Sequence, residues 1–272
     1  MNDTNHDYVT LMNAHIHLGL GIFDDVQKHG SLVVATSASI HDYYWNFAYK
    51  NTENPFTDNE IEIASTLLRK KGRSSALWLP STQDPPQNCE VKSREAWMWL
   101  DKDARSVFDQ PVIDNKLLEI RRTNEPTQEM LHVFQNAYGS SVAQDDIGYT
   151  GLPPEYGEAY MKLQPKLPAQ MRHFAAYLDG TCVAIATVVI WLQYAGLYSV
   201  ATHHDYRRRG FGREISRVAS LWAIQQNVAG ILLQTEADSV VEKMYTELGY
   251  QRTHVGLLVT QKYKSHIRAS IK

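Results

Sequence analysis

Ser199-Val200-Ala201-Thr202-His203-His204-Asp205-Tyr206-Arg207-Arg208-Arg209-Gly210-Phe211-Gly212-Arg213 is the stretch on which the fold turns. An apolar run ends here, a short basic loop follows, and two glycines bracket the start of an amphipathic segment. A helix start presents unpaired N–H groups and a partial positive charge. Glycines let phosphate oxygens approach that backbone closely, and arginines add charge. Arg-Arg-Arg alone would read as a solvated turn. With a strand before it, two glycines inside it and a helix after it, the stretch reads as an anion site, most simply for a phosphate or pyrophosphate. It is not a Walker A loop, which needs Gly-Lys-Ser/Thr where this chain has Gly212-Arg213-Glu214. Nor is it a dinucleotide fingerprint, because Ile215 stands where a third glycine belongs. Gly19-Leu20-Gly21 fails in the same way, with Asp24 in the third place, and reads as a helix terminator.

Outward from the loop, hydrophobic periodicity orders the second part of the chain. Leu117–Arg121 reads as a strand, and Pro126 opens a helix, since proline is tolerated in a first turn. Phe174–Leu178 and Thr181–Leu192 are strands joined by Asp179-Gly180, a hairpin signal because glycine accepts positive φ. Gly196–Ala201 is another strand. A helix follows over Gly212–Asn227, with Ile215, Val218, Ala219 and Trp222 on one face. Ile231–Gln234 is a strand, Ser239–Leu248 a helix with Ser239 and Glu242 in capping-box spacing, and Val255–Gln261 a closing strand.

The first part reads differently. Val9–Leu18 predicts a short helix, and Ser31–Ala38 and Tyr44–Tyr49 predict strands. Thr57-Asp58-Asn59-Glu60 opens a helix with a capping box, continued by Ile61, Ala64, Leu67 and Leu68 and ended by Gly72. Ala76–Leu79 and Ala96–Leu100 are further strands. The join falls near Asp101–Asn115, giving a smaller N-terminal α/β domain over residues 1–112 and a second domain over 113–272.

The bulk numbers exclude several classes. The chain has 272 residues, a formal net charge of -3, 43% hydrophobic and 21% charged residues, which suits a globular protein and gives no electrostatic reason to expect nucleic acid. No apolar run is long enough to cross a bilayer, and the polar start MNDTNHD lacks the features of a secretory signal. Only two cysteines, Cys89 and Cys182, are present, so a disulfide framework is not expected and the cytoplasm is the default compartment. Cys182 lies inside an apolar strand pattern and reads as buried packing. His15-Ile16-His17 supplies two ligands without partners, so no metal is assigned.

Arg207-Arg208-Arg209-Gly210-Phe211-Gly212 resembles the Arg/Gln-x-x-Gly-x-Gly/Ala signature of the GCN5-related N-acetyltransferase (GNAT) superfamily. Val200-Ala201-Thr202 is similar to the family strand before that loop, and Leu232-Leu233-Gln234-Thr235 to the next strand. Met244-Tyr245-Thr246-Glu247-Leu248-Gly249-Tyr250 resembles the family's Leu-Tyr-x-x-x-Gly-Phe ending. The resemblance covers roughly residues 115–262. It implies a mixed, mostly antiparallel α/β (α+β) sheet flanked by helices, with acetyl-CoA as acyl donor. It further implies that the amides of Arg209, Gly210, Phe211, Gly212 and Arg213 hold the pyrophosphate, with Arg207 and Arg208 as charge support. Val200 and Thr202 would pair with the pantetheine arm, in a gap between two parallel, splayed strands. Tyr245 resembles the family's general acid, a phenol suited to a leaving thiolate because a thiol has a pKa near 8.5.

The base is open. A lysine-like amine is almost fully protonated at neutral pH, so something must take its proton. Glu119, His203, Glu236 and Asp238 are the candidates, and no acid lies in Leu232-Leu233-Gln234. In the family the acceptor is gripped by the loop after the first helix, here Gly139–Gly157, which holds Asp145, Asp146, Tyr149, Glu155 and Tyr156. Trp191 and Tyr194 would wall the pocket or pack the sheet. The implied reaction is transfer of an acetyl or short acyl group to a primary amine, a small molecule by the acidic loop; an acyl-CoA sensor and a protein-amine acetyltransferase are the alternatives. A homodimer is compatible with the resemblance. The N-terminal part faintly resembles the degenerate first repeat of two-domain members, with Tyr43, Tyr44, Trp45 and Phe47 either lining an acceptor cavity or, as the better reading, packing between the domains.

Overall fold

The structure, a computed structural model, describes residues 7–19, 21–104, 118–139, 152–164 and 170–262. Helix α1 (Tyr8–Leu18) starts at Asp7, whose carboxylate accepts from Thr10 N–H. Strands β1 (Asp25–His29) and β2 (Leu32–Thr36) form a hairpin through Gly30, at φ 63°. The pattern of β1 escaped the sequence reading because its burial is broken and polar. A 3-10 turn over Tyr43–Trp45 replaces the first half of the strand expected at Tyr44–Tyr49, and β3 is Phe47–Lys50. Asp42 accepts from Tyr44 N–H and stabilises that turn, an Asx cap that outweighs the aromatic strand propensity.

Helix α2 (Asp58–Lys70) carries the expected capping box between Thr57 and Glu60. Strands β4 (Ala76–Pro80) and β5 (Cys89–Asp101) follow, β5 being much longer than the apolar core 96–100 that marked it. Then come β6 (Leu118–Thr123), α3 (Gln128–Gly139) and α4 (Pro154–Met161). Helix α4 lies partly in what the sequence reads as a loop, and the rest of that loop, with Asp145, Asp146 and Tyr149, lies outside the described residues. Strands β7 (Gln170–Leu178), β8 (Thr181–Trp191) and β9 (Tyr194–Thr202) form the antiparallel meander. Asp179 at φ 48° and Gly180 at φ 80° make the type I′ geometry expected of the β7–β8 turn. The chain ends with α5 (Phe211–Gln225), β10 (Gly230–Glu236), α6 (Val240–Glu247) and β11 (Gln251–Gln261).

Among the described residues eleven strands join one sheet, in the order β1-β2-β3-β4-β11-β5-β10-β9-β8-β7-β6. It is mixed and mostly antiparallel; of the described pairs only β3–β4 and β9–β10 run parallel. Each parallel pair is bridged by a crossover helix, α2 in one case and α5 in the other. The order is symmetric about the β11–β5 pair: β4 matches β10, β3 matches β9 and β2 matches β8. The last strand from each side sits in the other's half, since β11 pairs with β4 and β5 with β10.

Alternation along β5 and β10 builds the two faces. Trp97, Trp99 and Leu232 join one core with Leu11 and Met12 of α1 and Met130 and Val133 of α3. Ala96, Met98, Ile231 and Leu233 join the other with Ile215, Ala219 and Trp222 of α5. A third, smaller core lies between α2 and β2–β4.

Candidate functional site

Strands β9 and β10 hold together for only three residue pairs, Gly230 with Tyr194, Ile231 with Ala195 and Leu232 with Gly196. Beyond them the strands run on separately, β9 to Thr202 and β10 to Glu236. Two features explain the parting. Gly196 and Gly230 let Tyr198 and Trp99 lie where a Cβ would otherwise stand, so the closed end packs tightly. Further along, β9 bulges against β8 between the Ile185 and Thr187 positions, with Ser199 at φ 50°. A bulge turns the strand and redirects its main-chain groups away from the regular ladder.

The loop beyond β9 leads over a 3-10 turn (His204–Tyr206) to Gly210, at φ 83° and ψ -3°. That left-handed conformation caps α5 without any side-chain hydrogen bond. The first helical bond runs from Glu214 N–H to Gly210 C=O at 2.9 Å. The amides of Phe211, Gly212 and Arg213 precede it and have no carbonyl one turn back. Gly212 sits so near β9 that a Cβ would lie 2.9 Å from Thr202 Oγ1. This leaves main-chain amides free at the open end of the strand gap, an arrangement chemically able to hold an anion.

The arginines divide their labour. Arg207 donates to Ala137 C=O at 2.7 Å and Thr202 C=O at 3.5 Å, tying the loop to the end of α3. Arg208, at φ 59°, and Arg209 are exposed, and Arg209 lies over the rings of Tyr206 and Phe211 at 5.4 and 5.2 Å. Arg213 reaches Glu247 on α6, 3.4 Å to the carboxylate. Val200 C=O accepts from Tyr138 Oη at 2.8 Å, and a carbonyl oxygen has a second lone pair for another donor.

Tyr245 is buried on α6, its ring 5.5 Å from that of Tyr250. Burial, then the neighbouring phenol of Tyr138, hold its pKa far above the ordinary value; a hydrogen bond with Ser216 opposes them. The group is therefore a neutral phenol throughout the working pH range, with a hydrogen to donate. Tyr138, pushed up to about 12 by burial, is the second phenol here, and the sequence reading missed it. Its signal was only a helix tyrosine four residues from Phe134.

The four candidate bases fare differently. Glu119 lies on the edge strand β6, paired with Arg121 at 2.7 Å, at the far side of the sheet. Asp238 is held by Arg252 at 2.7 Å and caps nothing; Ser239 is the N-cap of α6. His203 stands at the loop, ring-stacked on His204. Glu236 pairs across the sheet with Glu95 of β5, on the face that carries α1 and α3. Glu95 is half-buried, accepts from Ser93 Oγ and lies 3.4 Å from Tyr44 Oη. Burial raises its pKa and Glu236 adds to that, while Ser93 and Tyr44 oppose. Asp42, also raised by burial, is bonded to Tyr156 and feels Glu155 of α4. Glu95, a carboxylate from the first segment, thus sits beside the end of β10, and Asp42 lies near α4. No strand pattern around Glu95 distinguished it; only the insertion of β5 beside β10 brings it here. Trp191 stacks on His17 with ring centroids 4.0 Å apart, and Tyr194 meets Trp99 edge-on at 6.0 Å, so both pack the sheet. Cys182 is buried as expected, its thiol pushed up to about 12 by burial.

A parallel pair that splays over a glycine-capped helix start, with a buried phenol beside it, marks a mixed α/β fold whose sheet opens onto a helix N-terminus. Residues 140–250 match the model of the Acetyltransferase (GNAT) family. The "Uncharacterized N-acetyltransferase YobR" of Bacillus subtilis (strain 168) is 26% identical over 113 residues, 41% of this chain and 46% of that protein. The chain thus spans about half the length of this curated relative. A solved GCN5-related N-acetyltransferase from Kribbella flavida superposes with a TM-score of 0.66 at 16% identity, over 95% of this chain and 96% of that one. A tandem GNAT protein from the clavulanic acid biosynthesis pathway superposes at 0.57 and 12% identity, over 86% of this chain and 79% of that one. Family match and architecture agree: residues 140–250 carry the GNAT match, and the chain shares its fold with the solved GNAT structures.

Proposed function

We propose that the protein transfers an acetyl or short acyl group from CoA to the amine of a small molecule. The observation that carries this reading is the splayed β9–β10 pair opening onto the amide cradle of Gly210–Arg213. Acetyl-CoA supplies an activated thioester. The amides of Arg209–Arg213 suit its pyrophosphate, Arg208 adds exposed charge, and Arg207 positions the loop through Ala137. Val200 and Thr202 present the bulged edge of β9 to the pantetheine arm. Tyr245 donates its proton, or a hydrogen bond, to the departing sulfur. Glu95 takes the proton from the attacking nitrogen; a carboxylate with a raised pKa is the stronger base. The carboxylates of Asp42, Glu95 and Glu155, with Tyr44 and Tyr156, favour a cationic amine small enough to enter between the two halves.

The first 112 residues are, in this reading, a degenerate repeat of the same fold that has lost its loop and serves the acceptor side. The chain is read as cytoplasmic; no helix among the described residues is long and apolar enough to cross a membrane. Two measurements test the whole. Calorimetry with acetyl-CoA should show one site, and absence of binding at millimolar cofactor ends the reading. A screen of amines for release of free CoA should find turnover. Cofactor binding with no turnover on any small amine or peptide amine would instead make the protein a sensor.

A further inference from the structure

We propose that His203, His204 and Asp205, faced by His132 of α3, form a binding site for a divalent transition-metal cation at the lead-in to the anion loop. One ring nitrogen of His203, one of His204 and an Asp205 carboxylate oxygen all lie within 4.8 Å of one another. The ring of His132 approaches that of His203 to 5.6 Å between centroids.

Hydrogen bonding orients the lone pairs. Asn136 of α3 receives the main-chain N–H of His204 at 2.8 Å, and a backbone amide is only a donor, so the facing atom is Oδ1. The same oxygen lies 2.8 Å from His204 Nδ1, which must carry the ring hydrogen. In the neutral ring Nε2 then bears a lone pair, and it faces Asp205 Oδ1 at 2.8 Å. Between these two atoms stands either a second ring proton or a metal cation, and the cation is the occupant proposed. His203 Nδ1 accepts from Asp205 N–H over a long 3.4 Å, a bond its single lone pair would exchange for the ion, and lies 3.8 Å from Asp205 Oδ2. A tetrahedral ion with bonds of about 2.0–2.1 Å separates its ligands by about 3.3 Å, between these two spacings. The Asn136–His204 bond has the form of the outer support that fixes tautomer and ring orientation in metal-binding histidines. Imidazole and carboxylate donors together suit zinc, cobalt or nickel and not magnesium or calcium. A bound ion would join the loop's lead-in to α3, beside the Arg207 tie to Ala137.

The test uses the full chain without a histidine tag. Zinc is titrated against a chromophoric chelator, and cobalt is followed by its visible absorption. One equivalent should bind per chain, with nitrogen-rich tetrahedral bands for cobalt, and excess magnesium should not compete. His203→Ala and His204→Ala should each weaken binding at least about tenfold, and Asn136→Ala about ten- to a hundredfold. His132→Ala should weaken it too if that ring closes the fourth position, and leave three-ligand binding if a water does. Melting curves without metal control for folding, with Asp205→Asn as the milder variant should an alanine variant melt early. Two results overturn the proposal. One is wild-type affinity in the His203→Ala/His204→Ala double variant. The other is no stoichiometric uptake, the gap at Asp205 then being filled by a proton as a simple imidazolium–carboxylate pair.

Discussion

Gly210 bears on function through one torsion. At φ 83° an L side chain costs about 1–3 kcal/mol, and a branched one would also screen the amides behind it. Gly210→Val should therefore abolish acetyl-CoA binding in calorimetry while the circular dichroism spectrum stays native. Tyr245 makes a different prediction, because the proposed mechanism sets it at the sulfur and not at the pyrophosphate. Tyr245→Phe should lower kcat at least about tenfold, within the range of acid–base catalysis, and leave the cofactor Kd within about threefold. Unchanged turnover would remove it from the mechanism. Glu95 is tested by pH. Its pKa is raised, so kcat/KM should climb as pH carries the carboxylate into its ionised form. Glu95→Gln should flatten that acidic limb and lower the plateau; a limb that persists belongs to another base. Little of this was legible beforehand: the glycines and Tyr245 stand inside motifs, whereas Glu95 and Tyr138 stand in ordinary strand and helix patterns.

Elements were legible where local chemistry and burial agree. Helix α2 shows both: Thr57 Oγ1 accepts from Glu60 N–H, and Glu60 returns a bond to Thr57 N–H at 2.8 Å. Burial alone would raise the Glu60 pKa, yet bonds from Thr57, Lys50 and Ser31 bring it down to about 2. Thr57→Ala should cost about 1 kcal/mol by urea denaturation, the usual loss for an N-cap. A neutral result would mean that packing of Ala64 and Leu68 carries the helix alone. Elements were missed where tertiary contacts overrode the pattern. The Asp42 cap turned an aromatic stretch into a 3-10 turn, and β1, polar on most of its length, is a strand because β2 pairs with it.

At the scale of the molecule, three histidines from distant elements share one fate. His15 of α1, His173 of β7 and His254 of β11 are each lowered to about 4 by burial. Their unfolded values are near 6.5. Between pH 6.5 and 4 the unfolded chain therefore binds protons that the native state refuses, and stability falls as pH falls. Above pH 6.5 both states are neutral and the contribution is constant. Each group contributes up to about 1.4 kcal/mol per pH unit in that window. The urea midpoint should drop steeply from pH 6.5 to 4.5, and His173→Gln should shallow the slope. A midpoint that stays level across the window would show these rings already protonated in the fold.

The sequence by itself determined the glycine-capped loop, its flanking strand and helix, the Asp179-Gly180 hairpin turn and the class of fold. Each depends on contacts among near neighbours: a φ angle, a cap, a period of two or of 3.6. Only the tertiary structure decided how the two segments meet. The apolar pattern of β11 does not say which strands it will pair with, and the carboxylate of Glu95 does not say which cleft it will face. Those are settled by which edges remain unpaired once each half has collapsed, and main-chain hydrogen bonding along an edge is blind to the side chains that identify a strand.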